Sequence, residues 1–246
     1  MVELGNDLTI SIALVSVLLL VSMWKDLLDK GGVIAALLVG LTISLLGHWT
    51  WLVVLMTFLI VGSFATKWRF DEKAKISAEE ANAGVRGWKN VMANGGMASM
   101  IAMANFFIGG HEWAYFMLCS SVSVAASDTL ASEIGSLDPR TRIITTLEAV
   151  PAGTNGGMSP TGTLAAFYGA LLISVVSTIL GAINGDRTPV ELFFPFVILI
   201  GWLGCQIDSI LGAMLENRGY LGKHGVNFIA TLSGSLMALF VATRLF

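Results

Sequence analysis

Apolar runs close to the ~20 residues that a helix needs to cross a bilayer recur about eight times in this chain. Within hydrocarbon each such run must satisfy its own backbone N–H and C=O groups, which a helix does. Little sequence is then left for a soluble domain. The composition agrees: the 246 residues are 55% hydrophobic and 13% charged, and the mean hydropathy is +0.77, against about a quarter charged in a soluble domain. The expectation is an all-α, polytopic helical membrane protein forming a single integral membrane domain over residues 1–246. A net charge of -3 gives no reason to expect a nucleic-acid partner. Cys119 and Cys205 both fall inside apolar runs, which favours free buried thiols over a disulfide. Residues 1–7 carry two acids and no Lys or Arg, and no small-residue cleavage pattern follows. The first run is therefore read as a span and not as a signal peptide.

The spans are expected at about 8–24, 32–47, 49–66, 91–109, 112–127, 162–183, 191–215 and 226–244, the second and fifth being short. With the N-terminus outside, one face collects Lys25, Lys30, Lys67, Arg69, Lys73, Lys75, Arg86, Lys89, Arg140, Arg142, Arg218 and Lys223. Those are twelve of the fourteen basic residues; Arg187 and Arg244 fall on the other face. The positive-inside bias thus predicts eight spans with both termini outside, in the cell membrane. The polar connections 67–90, 128–161 and 217–225 then face the cytoplasm, and so does any chemistry.

Those connections hold the polar constellations. Residues 67–81 mix both signs and read as a solvated helix at the headgroups. Beyond them Asn82, Arg86, Asn90 and Asn94 recur every fourth residue, so a continuous helix would align them on one stripe running into the fourth span. A cation with three carboxamides suits an anionic, oxygen-rich ligand, and headgroup anchoring by Arg86 and Trp88 is the plainer alternative. Gly95 and Gly96 follow at once and suit close helix packing.

Asp128 closes the fifth span, with Ser132 a turn beyond it and Glu133 beside that. A carboxylate at the membrane surface among hydroxyls suits a hard divalent cation that keeps its waters and bridges phosphate oxygens. The segment GTNGGMSPTGT then places Gly153, Thr154, Asn155, Gly156, Gly157, Ser159, Thr161 and Thr163 ahead of a span. A glycine loop running into a helix N-terminus presents N–H groups to an anion, which is how phosphates are held. No Gly-Lys-Ser/Thr triplet makes it a Walker loop. Asp208, beside Gln206 and Ser209, lies inside an apolar span, where an ionised carboxylate costs at least ~2.5 kcal/mol and usually faces a partner, a cavity or an ion. Gly212 and Glu216 continue its face. The last span opens on Asn227, Thr231 and Ser235, a stripe suited to interhelical hydrogen bonds.

Taken together, DTLASEIG, PRTRIITT, VPAGTNGGMSPTGTLAA, GCQIDSILGA and HGVNFIATLSG resemble an integral membrane family that includes the plant phytyl-phosphate kinase and its archaeal and animal relatives. The resemblance spans roughly residues 82–235 and lies in the order and spacing of several motifs. A wider group of CTP-using membrane enzymes, including dolichol and phytol kinases and the CDP-diglyceride and CDP-archaeol synthases, has a similar acidic motif followed by a glycine-hydroxyl loop. By that resemblance Asp128, Ser132 and Glu133 belong to a nucleotide–metal motif and Gly153 to Gly157 to a phosphate loop. The chain departs from the family in the turn before Val150-Pro151, where a basic residue is usual and Thr145-Thr146-Leu147-Glu148-Ala149 stands; Arg140, Arg142 or Arg86 could replace it.

The resemblance implies a CTP- and Mg²⁺-dependent kinase that converts a polyprenyl monophosphate to the diphosphate. Its partners would be a nucleoside triphosphate, an isoprenoid lipid phosphate and the surrounding membrane lipids. Asp128, Asp208 and Arg86 are the expected catalytic residues, with Asp128, Glu133 and Asp208 around the metal. Asn90, Asn94, Ser132, Glu133, Gly153, Thr154, Asn155, Gly156, Gly157, Ser159, Thr163 and Asn227 would contact the nucleotide. A polyprenol kinase, a CDP-lipid cytidylyltransferase and a secondary transporter are the alternatives. The transporter class is the weaker one, because the polar residues concentrate at one membrane face and no convincing inverted repeat is present.

Overall fold

A computed structural model describes residues 4–75, 84–111 and 113–245. Every apolar run becomes a helix: α1 (Leu4–Trp24), α2 (Lys30–Leu46), α3 (Trp49–Lys67), α5 (Trp88–Phe107), α6 (Trp113–Gly135), α7 (Pro160–Asn184), α8 (Val190–Leu211) and α9 (Lys223–Leu245). Local chemistry sets several ends. Asp29 caps α2 by accepting from the Gly32 N–H at 2.6 Å. Ser159 caps α7, Pro160 fills its first position, and Gly185 closes it at φ +76°, a left-handed conformation that glycine takes without cost. The protein is a nearly all-α, polytopic helical membrane protein.

Among the described residues six helices are long and apolar enough to cross a bilayer: α1 from Asp7, α3, α6, α7, α9, and α8 together with the π turn Gly212–Glu216 that continues it. Helix α2, at 17 residues, is apolar but shorter. The fifth run is not short, as the sequence had suggested. Asp128 does not end it; α6 runs on two turns to Gly135 and has 23 residues.

Helix α6 is the centre of the bundle and packs against α3, α5, α7, α8 and α9. Small side chains let it sit there: Ser120, Ser121, Ser123 and Ser127 are all buried. A Cβ on Gly135 would come within 2.7 Å of Gly162 Cα, so α6 and α7 touch backbone to backbone at this end. A larger residue at either position would force the two helices apart.

Between α6 and α7 the chain folds into a compact loop. Its strands β1 (Arg142–Ile143) and β2 (Gly157–Met158) pair antiparallel, Arg142 opposite Met158 and Ile143 opposite Gly157.

The polar stripe expected along one continuous helix does not form that way. Asn82 lies outside the described residues. Gly84 takes φ +79°, and Gly87 is extended and caps α5 without a side chain to offer. Arg86 between them is strand-like: its N–H donates to Leu27 O at 3.0 Å and its C=O accepts from Asp29 N at 3.1 Å. Only Asn90 and Asn94 share a helix face. Nor is the 67–75 region simply solvated, because in the short helix α4 (Phe70–Lys75) the Lys73 side chain is fully buried.

Candidate active site at the converging helix ends

The C-terminal ends of α6 and α8, the N-terminal ends of α7 and α9 and the β1–β2 loop surround a cleft of about 260 Å³. Asp128, Ser132 and Glu133 reach it from α6. Gly153, Thr154, Asn155, Gly156 and Gly157 reach it from the loop, and Ser159 and Thr163 from the start of α7. Asp208 and Asn227 complete it from α8 and α9. Residues up to a hundred positions apart in sequence are thus brought together. Arg86, Asn90 and Asn94 are not among them; they line a separate cavity between α2, α3 and α5.

The chemistry of the cleft centres on two carboxyl groups. Asp128 and Asp208 meet at hydrogen-bonding range although they come from different helices, and Asp208 Oδ2 is buried with no hydrogen-bond partner among the described residues. Two carboxylates in contact repel unless a proton or a cation lies with them. Glu216, on the π turn after α8, adds a third acid to the wall. Cys205 also lines the cleft, and it and Cys119 are free and buried.

Glu133 has a different role from the metal ligand that the sequence suggested. Its Oε1 accepts from the Thr66 hydroxyl at 2.8 Å and its Oε2 from Lys73 Nζ at 2.6 Å. Lys73 also donates to the C=O groups of Ala65 and Thr66. Both carboxylate oxygens are committed, so Glu133 ties α4 and α3 to the end of α6 and forms the wall of the cleft.

The glycine loop is built by turn chemistry. Gly153 and Gly156 take φ +82° and +74°, whereas Gly157 is a strand residue. A Cβ on Gly156 would lie 2.6 Å from Ala213 N and 2.7 Å from Ala213 Cα. The loop therefore docks directly on the π turn, and Asn217 Nδ2 holds it by donating to Asn155 O at 3.1 Å. The N-terminus of α7, in contrast, is not open to an anion. Thr161 N donates to Asp138 Oδ2, Gly162 N to Ser159 Oγ and Thr163 N to Ser159 O. Asp138 itself is the anion there. Arg140, and after it the Thr161 hydroxyl, hold its carboxyl well below the usual carboxylate range.

That arrangement decides which cation serves the cleft. Arg140 is bound to Asp138 with its side chain 68% exposed, and Arg142 donates to Leu147 O at the surface. Among the described residues the basic side chain lining the cleft is Lys223, which sequence reasoning missed. It stands four residues before Asn227, so the Asn227–Thr231–Ser235 stripe extended one turn back would have found it.

A divalent cation fits this donor set in part. Among the described residues no group of three or more His, Cys, Asp or Glu side chains is placed to hold a metal. Two carboxylates with one orphaned buried oxygen do suit Mg²⁺, which keeps several waters and is bound through one or two carboxylates plus substrate phosphates.

Two of the proteins this chain resembles are themselves membrane proteins. No solved structure matches it. It is 32% identical to an uncharacterized membrane protein of Methanocaldococcus jannaschii over 95% of this chain and 94% of that one. It is 32% identical to an uncharacterized membrane protein of Synechocystis over 87% of this chain and 83% of that one. Against the Arabidopsis thaliana protein VTE6, chloroplastic, it is 29% identical over 86% of this chain and 64% of that one. The family model of the integral membrane protein DUF92 matches residues 13–235, nearly the whole bundle and all of the cleft. The chain belongs to the integral membrane protein family DUF92.

Proposed function

We propose that the cleft transfers the γ-phosphoryl group of CTP to an isoprenoid monophosphate at the cytoplasmic membrane face, with the prenyl tail remaining in the bilayer. The observation that carries this reading is the meeting of Asp128 and Asp208 opposite a glycine-hydroxyl loop and Lys223. The motif resemblance to the family of the plant phytyl-phosphate kinase, and the distant likeness to VTE6, supply the substrate class.

A phosphate oxygen of the prenyl monophosphate attacks the γ-phosphorus, the bond from that phosphorus to the β,γ-bridging oxygen breaks, and CDP leaves. The nucleophile is already anionic, so no strong base is needed, and the protein's task is positioning and charge neutralisation. Asp128 and Asp208 would hold Mg²⁺, which would supply charge neutralisation on the phosphates. Lys223 contacts the phosphate chain from the α9 side. The Thr163 hydroxyl and the Asn227 carboxamide orient its oxygens, while the Ser132 and Thr154 hydroxyls, which donate to Thr129 O and Pro151 O, line the cleft.

The test is incubation of the purified protein with CTP, Mg²⁺ and a panel of prenyl alcohols and prenyl monophosphates. The expected product is the diphosphate, formed from the monophosphates. Phosphorylation of the alcohols alone would make the chain a polyprenol kinase. Absence of CTP consumption with every acceptor would overturn the reading.

A further inference from the structure

A second cavity, of about 40 Å³, lies away from the cleft, between α2, α3 and α5. Its walls are mostly hydrocarbon, from Val39, Leu52, Phe58 and Val91 among others, with Arg86, Asn90 and Asn94 as polar exceptions. Its rim reaches the protein surface at Leu55, Met56 and Leu59, which are only half-buried. Asn94 is 4% exposed. Its Nδ2 donates to Asn90 O at 2.9 Å and to Asn90 Oδ1 at 3.3 Å. Both neighbours are acceptors, so the amide cannot be turned the other way. Asn94 Oδ1 is consequently fixed as a buried acceptor, and among the described residues nothing donates to it. A buried acceptor left unmet is destabilising. The Arg86 guanidinium lies over the Phe58 ring, 5.4 Å from its centroid, at the same cavity.

We infer that this cavity binds the hydroxyl end of a single-chain lipid alcohol, with Asn94 Oδ1 accepting its O–H. The hydroxyl oxygen keeps lone pairs that can accept from a guanidinium, and the first carbons of the chain match the apolar walls. Water answers the same acceptor less well, since a buried water typically makes about three hydrogen bonds and these walls offer few polar atoms. The site is separate from the phosphoryl-transfer reading and does not depend on it.

The test is equilibrium binding of labelled geranylgeraniol and of its methyl ether to the purified protein in nanodiscs, without nucleotide. The alcohol should bind saturably at one per chain and the ether, lacking the donor, about tenfold more weakly. Asn94→Ala should bring the alcohol down to the affinity of the ether, and Asp128→Asn should leave both unchanged. Val91→Phe, which fills the slot from α5 and keeps the Asn94–Asn90 bonds, should weaken both ligands and decides the matter if Asn94→Ala fails to fold. Equal binding of alcohol and ether would mean that water serves Asn94. Loss of alcohol binding in Asp128→Asn would place the alcohol in the cleft. Unchanged binding in Val91→Phe would exclude the cavity. Any of the three overturns the inference.

Discussion

Asp208 was conspicuous in the sequence because a carboxylate inside an apolar span is costly, and the fold gives that cost a purpose by setting it against Asp128. Replacing either by Asn should cut kcat by at least about a hundredfold, since lost charge stabilisation of this kind commonly amounts to several kcal/mol. Both variants should keep the wild-type melting temperature, because neither leaves an unpaired buried charge behind. Near-normal turnover in Asp208→Asn with unchanged Mg²⁺ dependence would remove that residue from the metal site. Lys223 was hidden in the sequence because a Lys at the start of a span is also an ordinary topology marker. Lys223→Met should raise the KM for CTP about tenfold or more, the size expected for a charge-assisted hydrogen bond to phosphate, and steady-state kinetics would show it. Glu133 shows the opposite failure. Its motif position suggested a ligand, and only the three-dimensional pairing with Lys73, sixty residues away, shows its oxygens to be occupied.

The helices were legible because continuous apolar runs admit one backbone solution in hydrocarbon. Their polar ends were less so. The stripe through Arg86 assumed an unbroken helix, and the extended residue Gly87 ended that assumption one residue before Trp88. The positions of Gly153 and Gly156 could be read as turn positions, whereas the capture of the α7 N-terminus by Asp138 could not, because it requires knowing how the loop folds back. Helix α4 is tied down by the Lys73–Glu133 pair, which is buried on both sides. Breaking such a pair from one side typically costs about 3–5 kcal/mol, while exchanging both partners for apolar groups is often neutral. Glu133→Leu alone should therefore lower the melting temperature strongly, and Lys73→Met with Glu133→Leu should recover most of the loss in a thermal-shift assay. If the double variant melts no higher than the single one, the pair is not the tie between α4 and α6.

At the scale of the whole molecule, the polar side chains that line the cleft gather at one end of the bundle, with Thr146 in the loop before α7 and Arg187 beyond its other end. The proposed function puts the cleft end in the cytoplasm, the face to which the positive-inside bias assigns twelve of the fourteen basic residues. Both native cysteines are buried, so Thr146→Cys should react with an impermeant maleimide only from the cytoplasmic side and Arg187→Cys only from outside. The reverse pattern would put the cleft on the wrong face for CTP. The central claim, phosphoryl transfer onto a prenyl monophosphate, is tested most directly by following two labels of CTP in parallel reactions with Mg²⁺ and geranylgeranyl monophosphate. Label in the γ-phosphate should appear in geranylgeranyl diphosphate and label in the α-phosphate in CDP alone; α-label in the lipid, or no label in it from either position, would contradict the account.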